Sequence, residues 1–213
     1  MSRNSIIVPE GIPFIAVPAV FAVTSWLAGY PVSATLLTLI TAFVLWFFRN
    51  PERKTPETPG LVVSPADGKV IFVGEAEESD ILKGRAKKIC IFMNVFNVHV
   101  NRIPCSGTVE GIRYYKGKFL VASLDKASTD NERNAVLIRT DDGKKILTIQ
   151  IAGLVARRIV CWLKEGMTVT RGERFGLIRF GSRLDVFLPV ESTVSVKVGD
   201  VTRAGETPLG VLH

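Results

Sequence analysis

The 213-residue sequence predicts a mainly β body, built as a barrel or barrel–sandwich hybrid, preceded by an N-terminal apolar helical hairpin. Three observations carry this. Residues 12–48 hold no charged side chain, whereas 26 of the 27 Lys and Arg lie after residue 48. From residue 61 onward, short apolar runs alternate with Gly, Pro, Asn and Asp, the pattern of strands and turns. Two stretches, Lys164–Gly176 and Lys197–Gly210, share a spaced Gly, Val-Thr, Arg, Gly-Glu, Gly pattern, which resembles the turn-rich hairpins of biotinyl- and lipoyl-carrier β-sandwiches. No Met-Lys-Met occurs, so a carrier attachment site is not expected.

In chain order, Ile12–Ala28 and Val32–Phe48 are apolar segments of 17 residues separated by Gly29-Tyr30-Pro31. Each reaches about 26 Å as a helix, against roughly 30 Å of bilayer hydrocarbon. Length therefore leaves open whether the hairpin (residues 1–48) spans a bilayer or dips into one leaflet; two buried core helices are the soluble alternative. Trp46, Phe47 and Phe48 sit at the interfacial position. Arg49, Arg53 and Lys54 follow, which places the body on the cytoplasmic face of a cell membrane. Residues 49–60 carry three prolines and five charges and read as a stiff linker.

In the body (residues 61–213), Leu61–Val63, Lys69–Val73, Lys88–Met93, Val95–Val100, Gly107–Tyr115, Ala135–Thr140, Lys145–Ile151, Val155–Val160, Thr168–Val169, Arg174–Phe180, Leu184–Leu188 and Thr193–Val198 read as strands. Asp141-Asp142-Gly143 is a hairpin turn. Helix is expected only around Tyr115–Ala127, with a turn near Cys161–Gly166.

The net charge of +7 and pI near 9.5, combined with a positive mean hydropathy of +0.27, suit an anionic lipid surface. No zinc-finger spacing, phosphate loop or RNA-binding aromatic signature accompanies the charge, so nucleic acid is not an expected partner. Cys90, Cys105 and Cys161 share no CxxC pattern and read as buried reduced thiols. With two histidines in the chain, no metal site is expected.

Three stretches combine turn chemistry with reactive side chains. Ser64-Pro-Ala-Asp-Gly68 reads alone as an Asx-type turn. Asn97-Val-His-Val-Asn-Arg-Ile-Pro104 holds the one histidine besides His213, which alone reads as structural. Gly181-Ser182 alone reads as a bend. Together they supply the acid, imidazole and hydroxyl of an Asp67–His99–Ser182 relay, in an order that unrelated folds permute freely. No Gly-x-Ser-x-Gly elbow occurs, which argues against an α/β-hydrolase.

Four ordered motifs, Phe47-Phe-Arg-Asn-Pro-Glu-Arg53, Val63-Ser-Pro-Ala-Asp-Gly-Lys-Val70, Phe96-Asn-Val-His-Val-Asn-Arg-Ile-Pro104 and Phe180-Gly-Ser-Arg-Leu-Asp-Val186, resemble the short form of the phosphatidylserine decarboxylases over nearly the whole chain. The resemblance implies a proenzyme that cuts itself between Gly181 and Ser182 into a β chain (1–181) and an α chain (182–213), which stay associated. Ser182 is the nucleophile and then the pyruvoyl group, which forms a Schiff base with the substrate amine and needs no metal. The product is phosphatidylethanolamine plus CO₂, in phospholipid biosynthesis. His99 is the expected base, Asp67 its orienting partner, and Arg102 a candidate phosphate contact. Longer relatives carry Leu-Gly-Ser-Thr at the cut and a second histidine where Arg102 stands, so one histidine must serve here. Three other readings stay open: the same chemistry on archaetidylserine, a membrane serine hydrolase without self-cleavage, and a non-enzymatic membrane-anchored adaptor. Homo-oligomer formation is also left open.

Overall fold

The computed structural model describes residues 5–117, 130–153, 158–179 and 181–213. The chain divides into two compact units, Met1–Glu52 and Arg53–His213.

The first unit is a helical hairpin. A single 3₁₀ turn, Pro9–Gly11, leads into α1 (Ile12–Leu27), and α2 (Pro31–Phe47) follows. Each helix has a proline in its first turn, where its missing N–H leaves no bond unmade; Pro18 lies inside α1. Gly29 makes the reversal at φ +76°. The helix hydroxyls return to the helices' own carbonyls: Thr24 to Phe21 (3.0 Å), Thr38 to Ala34 (2.8 Å) and Thr41 to Leu37 (2.8 Å). Polar groups satisfied in this way suit apolar surroundings, and Val20, Phe21, Trp26, Leu36, Leu39 and Ile40 are exposed. Pro9–Leu27 is long and apolar enough to cross a membrane; Pro31–Phe47 is shorter. The open end of the hairpin is closed by an Ile7–Arg49 bridge, by Asn50 N–H donating to Ile6 O (2.7 Å) and by Phe48 stacked on Phe14.

The second unit bears out the mainly β class. Its strands are β1 (Leu61–Val63), β2 (Gly68–Glu78), β3 (Gly84–Met93), β4 (Val100–Arg102), β5 (Gly107–Tyr115), β6 (Arg133–Arg139), β7 (Lys145–Ala152), β8 (Ile159–Cys161), β9 (Thr168–Val169), β10 (Arg174–Ile178), β11 (Ser182–Leu188), β12 (Thr193–Val194), β13 (Val201–Thr202) and β14 (Pro208–Val211). They form an antiparallel eight-stranded sheet, β13-β2-β3-β11-β7-β6-β5-β9, and two three-stranded sheets, β1-β14-β12 and β4-β10-β8. Register shifts at Val70/Phe72 and Val109/Gly111 bend β2 and β5, as bulges do. The large sheet curls until the β2–β3 tip meets β5: Asp80 accepts from Arg113 and Tyr115, and Ile81 and Leu82 pack over Leu137 and Phe187. The main core lies on the other face, where Ile89, Ile91, Leu184, Val186 and Leu188 meet Ile103, Phe175 and Ile178 of the smaller sheets' side.

The large sheet is palindromic about the β11–β7 junction, and its two ends repeat one construction. Gly68 and Gly107 start β2 and β5, and a Cβ on either would stand 2.3 Å from a backbone oxygen, of Phe92 and Arg139 respectively. The two repeats seen in the sequence are the hairpins that carry β9 and β13. Gly172 N–H donates to Ile103 O (2.8 Å) as Gly205 N–H donates to Ser64 O (2.7 Å).

Several expectations shift. Val95–His99 is not strand: Asn94 and Asn97 side-chain oxygens accept the Phe96 and Asn94 N–H groups (both 2.9 Å) and close a turn before β4, as Asn does where backbone partners are local. The expected helix at Tyr115–Ala127 begins on a residue of β5, and from residue 118 it lies outside the described residues. β13 and β14 are too short to show periodicity. The linker's second half is held to the body: Arg171 Nη1 donates to Thr58 O (2.7 Å), and Lys54 N–H to Glu206 (3.2 Å).

Strand β11 also anchors charge. On the face opposite the main core, Arg183 donates from Nε (2.6 Å) and Nη2 (2.8 Å) to the Asp185 carboxylate, and Lys88 Nζ stands 3.2 Å from it. Burial pushes the Asp185 carboxyl up, but the Arg183 hydrogen bonds and charge, joined by Lys88, outweigh it and hold the group below its ordinary 3.8. Burial, then Asp185, push the Cys90 thiol upward, so it stays protonated. A depressed native pKa gives stability that is present above pH 3.8 and lost as pH falls through the native value. Asp185→Asn should cost about 3–5 kcal/mol at neutral pH, measured by urea unfolding, and should remove this acid-sensitive component. A loss under about 0.5 kcal/mol would refute that role for the ion cluster.

Candidate active site

The chain passes from the small sheet (β10) to the centre of the large one (β11) through residues 179–181. Gly181 sits at φ +70°, and a Cβ added there would meet nothing within 4 Å. The glycine is therefore needed for its backbone angle, not for space. Ser182 opens β11, flanked by Met93 of β3 and Ala152 of β7. It is 0% exposed, and its Oγ has no hydrogen-bond partner among the described residues. A buried hydroxyl without a partner is costly; Thr148 Oγ1 and Ser192 Oγ share that state, and what sets Ser182 apart is its place directly after Gly181.

His99 is 2% exposed and lies between the Asn94–Asn97 turn and β4. Its Nδ1 is 3.0 Å from the Asn97 carbonyl. A carbonyl only accepts, so Nδ1 carries a proton, and in the neutral ring Nε2 is the basic lone pair. The turn before His99 begins directly after Met93, the register partner of Ser182. Both residues thus belong to the same end of β3.

Asp67 takes a different place from the one expected. Arg53 Nη2 donates to both of its oxygens (3.1 and 2.8 Å), and Ala204 N–H donates to Oδ1 (2.8 Å); no hydrogen bond to His99 is formed. In the other half of the sheet the matching residue is Ser106, whose Oγ accepts the Arg171 N–H (3.0 Å). Asp67 therefore holds a hairpin as Ser106 does, with Arg53 added. Arg53 was legible as a cation after the hairpin and as part of the Phe47–Arg53 motif, not as the partner of Asp67. Arg102, expected to meet a phosphate, is buried. Its Nη1 donates to Gly172 O (2.8 Å) and its backbone N–H to Pro65 O (2.9 Å), which ties β4 to the turn holding Asp67.

The sequence reading missed a line of buried carboxamides beneath Ser182. Asn134 Nδ2 donates to Gln150 Oε1 (3.0 Å), and Gln150 Nε2 donates to Asn101 Oδ1 (2.8 Å). Amides scattered over three strands carry no sequence signal; only Asn101, inside the His99 motif, could have been marked.

The family model for phosphatidylserine decarboxylase matches residues 40–210. The chain is 57% identical to the phosphatidylserine decarboxylase proenzyme of Syntrophus aciditrophicus, covering 99% of each chain. Identity is 50% to the proenzyme of Geobacter sulfurreducens, over 99% of each, and 47% to that of Magnetococcus marinus, over 100% of this chain and 98% of the relative. With the Gly181–Ser182 junction and His99 in the motifs that first suggested it, the chain belongs to the phosphatidylserine decarboxylase family.

Proposed function

We propose that this chain is a self-processing proenzyme whose mature form decarboxylates phosphatidylserine to phosphatidylethanolamine at a membrane surface. The observation that carries the reading is the buried Ser182 Oγ, without a hydrogen-bond partner among the described residues, directly after a glycine at φ +70°. His99 Nε2 takes the hydroxyl proton as Oγ adds to the Gly181 carbonyl. Collapse breaks the Gly181–Ser182 C–N bond, the nitrogen takes a proton, and an ester replaces the amide. Loss of the Ser182 α-proton then expels the Gly181 carboxylate, and hydrolysis of the residue left behind releases ammonia.

Ser182 fits the pyruvoyl group this chemistry leaves, because its own backbone and side chain supply the group's carbons on a strand held from both sides. Once formed, that carbonyl supplies an electron sink for loss of CO₂ from an amine-bearing substrate. The chain's part is to bury the group, exclude water and hold His99 in the Nδ1–H form for proton transfer. The cleaved chains remain together because β11 pairs with β3 and β7, β13 with β2, and β14 with β1. The apolar hairpin and the net charge of +7 favour an anionic lipid surface, with the body on the cytoplasmic side. Asp67 serves as a positioning residue: with Arg53 and Ala204 it fixes the turn whose Pro65 carbonyl receives the Arg102 N–H, on the strand β4 that follows His99.

Intact mass and a denaturing gel should show two chains divided between Gly181 and Ser182, the smaller without a free α-amine. A single uncut chain in active protein would sink the reading. Ser182→Ala should stay full length. His99→Ala should slow cleavage by about 10²–10⁴-fold; wild-type cleavage would remove His99 as base. Assays of mature enzyme on phosphatidylserine and archaetidylserine should show turnover of the first.

For Asp67, side-by-side cleavage rates separate two roles. Asn keeps the acceptor for Ala204 N–H, so Asp67→Asn should process faster than Asp67→Ala. Equal, complete loss in both would restore a direct charge contact with the imidazole.

A further inference from the structure

Self-cleavage as proposed above needs a donor for the oxygen of the Gly181 carbonyl when Ser182 adds to it. We propose that the side-chain amide of Asn101 is that donor, and that Gln150 and Asn134 exist to aim it.

Asn101 and Gln150 are fully buried and Asn134 nearly so. Their orientation is fixed at Gln150. One of its side-chain atoms faces the Val160 carbonyl at 3.5 Å, which can only accept, so that atom is Nε2. Oε1 then receives the Asn134 Nδ2–H (3.0 Å) and Nε2 donates to Asn101 Oδ1 (2.8 Å). The Asn101 amide must therefore turn its –NH₂ the other way, where its partner is the Met93 sulfur at 3.8 Å. A thioether is a feeble acceptor. Three buried amides in series thus end in a donor with almost nothing to donate to, an arrangement that is costly unless a better acceptor arrives.

That donor end lies at the reacting bond's end of the sheet. Met93 is the register partner of Ser182 in β3. Gln150 pairs with Leu184 and Ala152 with Ser182, so by strand alternation Gln150 and Ser182 share the core face. Asn101 itself pairs with Gly176 of β10, the strand from which the chain leaves toward Gly181. A Cβ at Gly176 would stand 2.2 Å from the Val160 carbonyl oxygen and 3.1 Å from Gln150 Nε2, so the glycine is required first by the β8 backbone and the amide lies beside it. Met93 is flexible enough for its sulfur to yield.

The step balances without any added reactant. The Ser182 O–C bond to Gly181 forms, the carbonyl π pair moves onto oxygen, and the hydroxyl proton goes to His99. Asn101 N–H donates to the resulting oxyanion and keeps its proton. Collapse returns the pair and breaks the C–N bond as His99 passes the proton to the leaving nitrogen.

The test uses full-length proenzyme from cell-free synthesis, following the appearance of two chains with time. Hydroxylamine is added in parallel to cleave the ester as it forms, which reports the acyl shift apart from the elimination. Asn101→Leu should slow both readouts on the order of 10²-fold, the usual effect of losing one oxyanion donor. Gln150→Glu should slow them as well, because a carboxylate facing Asn101 Oδ1 would reverse the amide. Met93→Leu, which takes away only the resting partner, should process at the wild-type rate. Folding of each variant is checked by thermal unfolding in a Ser182→Ala background, and Gln150→Glu decides if Asn101→Leu does not fold. Either folded variant processing at the wild-type rate would overturn the proposal. An uncut wild type, or a cut Ser182→Ala, would instead overturn self-cleavage itself.

Discussion

The constraint on which the structure depends is the insertion of β11 between β3 and β7. Every residue from Ser182 to Phe187 is paired on both sides. Alternation then divides the strand's duties: Ser182, Leu184, Val186 and Leu188 face the main core, while Arg183, Asp185 and Phe187 face the opposite side. A hydroxyl at the first position is consequently fixed by the register of the whole sheet rather than by its own contacts. Its Oγ can stay without a partner among the described residues because seven residues of ladder hold it in place. The reactivity proposed for Ser182 thus rests on a strand held from both sides.

The palindromic sheet clarifies what is scaffold and what is chemistry. Where both halves share a device, such as Gly68 with Gly107 or the Asp67 and Ser106 acceptors, the device closes a hairpin. Where the halves differ, function is the better explanation. Asp67 exceeds its counterpart by a charge and by Arg53, and β11 begins with Ser182, the serine of the bond proposed to be cut.

Much of this was legible in the residues, and the part that was not has a physical cause. Leu61–Val63 and Gly107–Tyr115 were readable to the residue because each run is bounded by turn formers. The stretch before His99 was misread as strand because Val95, Phe96 and Val98 look like one, while the side chains of Asn94 and Asn97 decide the turn. Gly181, Ser182 and His99 could be marked because they lie in ordered motifs. The partners of Asp67 and Arg102 could not, since an ion pair or a buried guanidinium–carbonyl contact is settled by tertiary packing. The amide line lay furthest out of reach. Asn101, Asn134 and Gln150 are ordinary residues until the sheets bring them into register.

The cut proposed between Gly181 and Ser182 would not unfasten this fold, and the energetics say why. The bond between residues 181 and 182 joins two strands of different sheets, so its loss breaks no pair in either ladder. To leave, the C-terminal piece would have to expose Leu184, Val186 and Leu188, at roughly 1.5–3 kcal/mol for each side chain. It would also have to unpair β13 from β2 and β14 from β1. The Arg183–Asp185 pair would be parted from Lys88, which belongs to the other piece. The proposed cut would free Gly181, held at φ +70°, from leading into a strand, while every ladder on either side of it could stay paired.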